Sequence, residues 1–340
     1  MRDMARSFHR WIVMAAAAAA LAAWPAPARA IPAWMRGYRS APYEESAEDR
    51  HFQLFNRPAM KTAAAQWEYV QGLRRDGKTR AAAKQALALR LAWPVSPEAP
   101  QAQWLYARLL DERGHPKDSF DAFQYMADHY AGQFEFGELI SIQHRLAHQV
   151  MEGRVGHFLF IPGFKAPEKA IPLYEKIAEN APEDPRTAEA LVNIGKAYEF
   201  NYEYGKAIEA YFRAMNRFPG TPAAEEAALR QAVCHVAIAD DEPNDQRALA
   251  TARAACALYL RDRGPDAPDR DIMEANLRRL DARQARFDYD LGLYYEKTLK
   301  RPESAIIAYE TFLERHPADY RAPEVRERIA ALQAKLPKEP

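Results

Sequence analysis

The sequence predicts an all-α chain, a right-handed superhelical solenoid built from helix hairpins. One spacing recurs along it, its composition favours helix, and its prolines fall where helices should stop. Residues 188–219 carry Ile194-Gly195-x-x-Tyr198, then Ala207, Tyr211 and Pro219. Residues 291–317 carry Leu291-Gly292-x-x-Tyr295, then Ala305, Tyr309 and Pro317. A partial third copy keeps Ala170, Tyr174 and Pro182, with the same four-residue and eight-residue steps.

That spacing is the tetratricopeptide signature, in which each unit is a helix, a tight turn and an antiparallel helix. Gly195 and Ala207 are expected to face each other across the hairpin, where small side chains let two backbones approach to about 8–10 Å. Tyr198 and Tyr211 would fill the space beside them, each contributing roughly 2–3 kcal/mol if fully buried. Pro219 has no N–H and disfavours helix in the residue before it, so it ends one unit. A lone unit cannot bury its apolar face, so the array holds only by stacking. These positions read as core and none is a candidate ligand contact.

Weaker copies extend the register. Upstream are Ala82, Ala86 and Pro94, then Ala107, Ser119, Phe123 and Ala131; downstream are Ala252, Cys256 and Gly264. About six units are expected between residues 61 and 320, with a terminal helix near 323–335, giving a repeat array over 61–335. The 340 residues are 48% hydrophobic and 28% charged, enough for a large folded body, and nothing reads as strands alternating with helices. Alanine, Leu, Glu, Arg and Gln are strong helix formers. The 24 prolines cluster at the expected unit ends.

The first thirty residues read as a targeting signal. Arg2, Arg6 and Arg10 precede an alanine-rich apolar run from Trp11 to Trp24, and Ala28-Arg29-Ala30 is a small-x-small cleavage site. Cleavage after Ala30 and export to the periplasm are expected, an uncleaved anchor being the other reading. Later in the sequence no run of 18 or more apolar residues appears. Removing the signal takes four basic and one acidic residue from 47 of each, leaving a net charge near −3. That balance offers no footprint for nucleic acid or an anionic membrane. Arg278, Arg279, Arg283 and Arg286 alternate with Asp281 and Asp288 and read as a solvated helix face, or less readily a partner-facing patch. Residues 31–60 read as a flexible arm, turn-rich and then acidic at Glu44, Glu45, Glu48 and Asp49.

One segment departs from the repeat. Residues 152–165 place Gly153, Gly156, Pro162 and Gly163 around Phe158, Leu159, Phe160, Ile161 and Phe164. Such an apolar loop either folds back onto the array or meets another protein, which makes Phe158, Phe160 and Phe164 candidate partner contacts. Chemical motifs are sparse: no phosphate-binding glycine loop, no Gly-x-Ser-x-Gly elbow and no paired-cysteine zinc pattern. His144 and His148 share a helical face but lack a third ligand, so no metal and no cofactor are expected. No carboxylate pair stands out as acid and base, so no catalytic residue is assigned and the chain is not expected to be an enzyme. Cys234 and Cys256 fall in predicted helices of one unit. They are either two buried thiols or, in an oxidising compartment, a bridge needing Cα atoms within about 7 Å.

Residues 248–317 run from Ala252, Cys256 and Arg263-Gly264-Pro265 through a charged helix at 270–287 to Tyr294-Tyr295, Ala305-Ile306 and His316-Pro317. With the interrupted unit leading into Lys169-Ala170-Ile171-Pro172-Leu173-Tyr174-Glu175, this stretch resembles the BamD family. That family is the periplasmic helical-repeat subunit of the outer-membrane β-barrel assembly machine. The resemblance implies a scaffold whose partners are subunits of that machine and unfolded outer-membrane protein precursors. It implies C-terminal units holding the machine and N-terminal units meeting substrate. Members usually carry a lipidated cysteine after the signal; here the first cysteine is Cys234, so membrane association is expected only through partners, at the inner face of the outer membrane. A scaffold for cell-wall synthesis or secretin assembly would use the same array. A lytic transglycosylase with a helical superhelix would need a catalytic domain besides. The concave surface is the expected working face, with Glu189, Lys196 and Glu199 from a first helix as candidate partner-binding residues.

Overall fold

In the computed structural model, residues 56–155, 163–265 and 269–336 are described. The signal segment with Ala30, the arm up to residue 55, and Phe158 and Phe160 lie outside the described residues. By contact the chain divides into two compact units, residues 1–165 with 175–184, and residues 166–174 with 185–340.

The first unit holds α1 (Ala63–Arg75), α2 (Thr79–Ala92), α3 (Ala99–Glu112), α4 (Pro116–His129) and α5 (Phe136–Glu152), packed in chain order. All but α2 start on an identifiable signal. The Thr62 hydroxyl accepts from the Ala65 N–H, Glu135 accepts from Gly137, and Pro116 opens α4 where a missing N–H costs nothing. The α1–α2 and α3–α4 turns pass through Gly77 and Gly114 at φ +72° and +75°, a left-handed conformation that costs glycine nothing. Leu89, Leu109, Phe120, Phe123, Met126, Leu139, Ile140 and Leu146 form the core. Small residues set the helix approach: the buried Ser119 hydroxyl donates to the Ala107 carbonyl across the α3–α4 hairpin at 2.9 Å. Two buried amides stitch hairpins from within. Gln66 donates to the Gln85 carbonyl and Gln103 to that of Ala122, each nineteen residues on.

After α5 a short ladder interrupts the helices. Strands β1 (Arg154–Val155) and β2 (Phe164–Lys165) pair antiparallel, Arg154 opposite Lys165, and Lys165 is salt-bridged to Glu152 at 2.8 Å. This ladder is the one piece of strand among the described residues, and it closes the base of the apolar loop. The chain then makes a 3-10 turn (Pro167–Ala170) and α6 (Ile171–Asn180), within which the division between units falls.

The second unit continues with α7 (Pro185–Phe200), α8 (Tyr204–Arg217), α9 (Pro222–Asp241), α10 (Gln246–Asp262), α11 (Arg270–Leu293), α12 (Pro302–Arg315) and α13 (Ala322–Gln333), each packed on the next. Consecutive packing of short-turn helix pairs makes both units all-α and of the tetratricopeptide type. The signature residues are the reason. A Cβ built on Gly195 would lie 2.3 Å from the Tyr211 ring, and one on Gly292 would lie 2.3 Å from the Tyr309 ring. The glycine is therefore demanded by the tyrosine of the paired helix, whose ring occupies the place of a side chain. Tyr174, Tyr211 and Tyr309, with Ala170, Ala207 and Ala305, are wholly buried, whereas Tyr198 is only half-buried.

The two best repeats differ by one residue. Tyr211 donates to Glu199, twelve residues before it, whereas Tyr309 donates to Glu296, thirteen before it, both at 2.7 Å. A π-helical turn at Tyr294–Thr298 takes up the extra residue, so Gly292 still meets Tyr309.

Candidate functional site

The first helices of the first unit carry a stripe that packing does not consume. On α1, Trp67, Gln71 and Arg74 lie four and then three residues apart, with Arg75 beside them; on α3, Gln101, Trp104, Leu105 and Arg108 follow the same helical period. Trp67 and Arg74 of the first stripe and all four residues of the second line one groove of about 560 Å³, which Pro100, Met126, Gln133, Phe134, Glu135 and Glu138 complete. A second hollow of about 440 Å³ continues it along Trp67, Gln71, Arg74, Arg75 and Leu105.

The groove has an aromatic level and a basic level. Trp104 is held by an edge-on contact with Phe123 at 5.0 Å and stacks near Phe134 at 6.3 Å, so its ring is fixed while remaining half-buried. Trp67 is also half-buried. One or two turns further along, Arg74, Arg75 and Arg108 are exposed, and none of their guanidinium groups has an ion-pair or hydrogen-bond partner among the described residues. At the far end, Glu135 is spent on capping α5 through the Gly137 and Glu138 N–H groups. Pre-ordered aromatics beside unpaired guanidinium groups are the side chains that dominate protein interfaces.

The corresponding helices of the second unit are occupied with one another. Lys196 on α7 pairs with Glu226 on α9 at 2.7 Å, and Glu199 pairs with Arg230 at 3.3 Å while accepting from Tyr211. Arg230 also meets Glu226 at 2.9 Å. The same four-residue network recurs a hundred residues on (roughly three repeats). There Tyr309 donates to Glu296, Arg328 on α13 reaches Glu296 at 3.0 Å, and Arg328 meets Glu324 at 2.7 Å. Burial, and then the accepting carboxylate, push both tyrosine hydroxyls above their ordinary value, so each remains a donor.

Lys196 and Glu199 thus join neighbouring repeats. Glu189 is exposed on α7, and Phe164 is 68% exposed in β2. Phe164 belongs to the first unit and the other three to the second. Of the arginine series, Arg278 and Arg286 are solvated at 70% and 79% exposure and make only helix-local pairs. Arg279 is also exposed, at 49%, but is tied to the preceding hairpin, and Arg283 is largely covered at 20%. Arg279 pairs with Asp240 through two hydrogen bonds of 2.6 and 2.8 Å, and Arg283 donates to the carbonyls of Ala239 and Pro243, closing the C-terminus of α9.

Cys234 and Cys256 are free, wholly buried thiols. Burial pushes Cys234 up to about 12 and Cys256 up to about 11. Among the described residues no group of three or more His, Cys, Asp and Glu is placed to hold a metal ion, and no helix is long and apolar enough to cross a membrane.

No family model matches the sequence, and no curated protein does. Solved structures similar to the chain include a tetratricopeptide repeat protein from Parabacteroides merdae, 13% identical, covering 80% of this chain and 98% of its own at TM-score 0.30. BtubC from P. vanneervenii is 14% identical, covering 83% and 96% at TM-score 0.30. PilF of Pseudomonas aeruginosa is 13% identical, covering 78% and 96% at TM-score 0.28. Overlaps this loose carry no functional argument, and the fold assignment rests on the Gly–Tyr packing described above.

Proposed function

We propose that the chain is a non-catalytic protein-binding scaffold, and that the groove of its first unit receives a segment of another polypeptide. The carrying observation is the pairing of half-buried Trp67 and a fixed, half-buried Trp104 with arginine side chains that have no ion-pair partner among the described residues. A tryptophan that already has a fixed place loses little freedom on binding, so its burial contributes to affinity with less offset. The resemblance of residues 248–317 to the BamD family supports a narrower reading. On that reading the scaffold works in the periplasm after cleavage behind Ala30, and it supports insertion of β-barrel proteins into the outer membrane. Phe164, at the base of the apolar loop, is a second candidate contact on the same reading.

The test places a photo-crosslinking amino acid at Gln71 or Gln101, both exposed in the groove, in living cells. Trapping of barrel-assembly subunits or barrel precursors is expected. Trapping of peptidoglycan synthases instead would move the scaffold to cell-wall synthesis, and no trapped protein from either position would end the groove reading.

A further inference from the structure

The chemistry of the groove narrows what enters it, an inference that rests on the scaffold reading above. Arg74 and Arg108 stand exposed in the groove and Arg75 in the hollow that continues it, and none of the three guanidinium groups is ion-paired among the described residues, although Glu135 and Glu138 also line the groove. Elsewhere on the same helices the fold does pair such groups: Asp111, three residues beyond Arg108, is engaged by Arg145 of α5 at 2.6 Å. The vacancy is therefore local to the groove. Beside it lie two aromatic rings and Leu105, an apolar floor along which an extended chain can rest side chains. Arginine binds carboxylates through paired N–H groups, and like charges held close repel until an anion arrives.

We propose that the first-unit groove takes an extended acidic segment of a partner protein. Its carboxylates meet Arg74 and Arg108 while its apolar or aromatic side chains cover Trp67 and Trp104. Without its first thirty residues the chain has a net charge near −3, so long-range attraction does not draw in an acidic partner. Selection is made inside the groove, by where its positive charge is concentrated.

The experiment uses the full chain and two fluorescein-labelled peptides of alternating charged and leucine residues with one phenylalanine, one bearing glutamates and the other lysines in their place. Anisotropy is expected to show the glutamate peptide binding at least about tenfold tighter, with affinity falling as salt rises. The double variant Arg74→Glu/Arg108→Glu is expected to reverse the preference, and Arg74→Gln/Arg108→Gln to abolish it. Both variants should keep the parent's melting temperature, since the substituted side chains are exposed. Equal binding of the two peptides, or an unchanged preference in both variants, overturns the acidic assignment. If Gln71 or Gln101 still traps a partner in cells in that event, the scaffold reading survives and only the partner's chemistry is wrong. A crosslink from Gln71 to the chain's own acidic run at 44–49 would replace the partner with an internal segment and overturn the proposal.

Discussion

The two units apply one packing rule and finish their first helices differently. In the second, charged residues one repeat apart lock onto each other: Lys196 with Glu226, Glu199 with Arg230, and Glu296 with Arg328. In the first, Arg145 with Asp111 is such a cross-link, whereas Arg74 and Arg108 carry guanidinium groups with no ion pair among the described residues beside the indole rings. A repeat array can thus direct the same helix face toward internal cohesion or toward other molecules. Charge placement about thirty residues downstream, close to one repeat length, decides which.

The largest effect expected from breaking this contrast is in the shared packing rule. Tyr211→Ala removes a wholly buried ring against Gly195 and should cost about 3–5 kcal/mol in chemical denaturation. Gly195→Ala adds a methyl group where the ring already sits and should cost about 1–3 kcal/mol. No loss of stability in either would show that the glycine–tyrosine contact does not hold the repeat together. On the binding side, Trp104→Ala should weaken partner capture by about tenfold, near 1.4 kcal/mol, while Lys196→Ala should leave capture within about twofold of the parent. Equal losses from both would erase the distinction drawn between the units.

The buried thiols give a pH signature confined to the second unit. Folding raises both thiol values above the ordinary 9.0, so the folded state holds its protons longer than the unfolded chain does. Their contribution is complete below pH 9 and is lost as pH climbs through about 11 and 12. Stability should therefore fall across that alkaline window, and a Cys234→Ser/Cys256→Ser variant should lose part of the fall. Native protein at pH 8 should resist alkylation by iodoacetamide, and rapid labelling would refute the burial.

The smallest expected change concerns a turn. Where the first unit uses Gly77 and Gly114, the second uses Tyr202 and Lys300, at φ 61° and 52°. A non-glycine residue is strained there, so Tyr202→Gly should stabilise the protein by about 1 kcal/mol, whereas glycine at an ordinary helical site destabilises. A lower melting temperature would mean that the exposed Tyr202 ring, edge-on to Tyr204 at 6.2 Å, contributes more than the turn costs.

How much of this the sequence disclosed depends on the span a feature covers. The Ala–Tyr–Pro steps lie within one repeat and located buried tyrosines correctly. The closeness of the glycine contact was visible only in space: the sequence set Tyr211 beside a Gly195–Ala207 contact, and the ring in fact occupies the place of a Gly195 side chain. Lys196 and Glu199 looked available because their partners, Glu226 and Arg230, belong to the next repeat. The contacts of Arg279 and Arg283 were hidden for the same reason, since Asp240 and the end of α9 reach them from the preceding hairpin, although Arg279 stays exposed. The groove escaped entirely: Trp67 and Trp104 are separated by a whole hairpin, and neither carries the repeat signature. Reading the charge of each first helix against its successor would have exposed the missing carboxylates.

The π-helical turn at Tyr294–Thr298 has a consequence for how such chains lengthen. One widened turn swallows an additional amino acid, so the tyrosine downstream arrives at its glycine on schedule and the Glu296 carboxylate still reaches it. Mutation can therefore insert a single codon into a hairpin without scrambling every later contact. The surplus residue would surface as a local bulge on which new side chains can be tried.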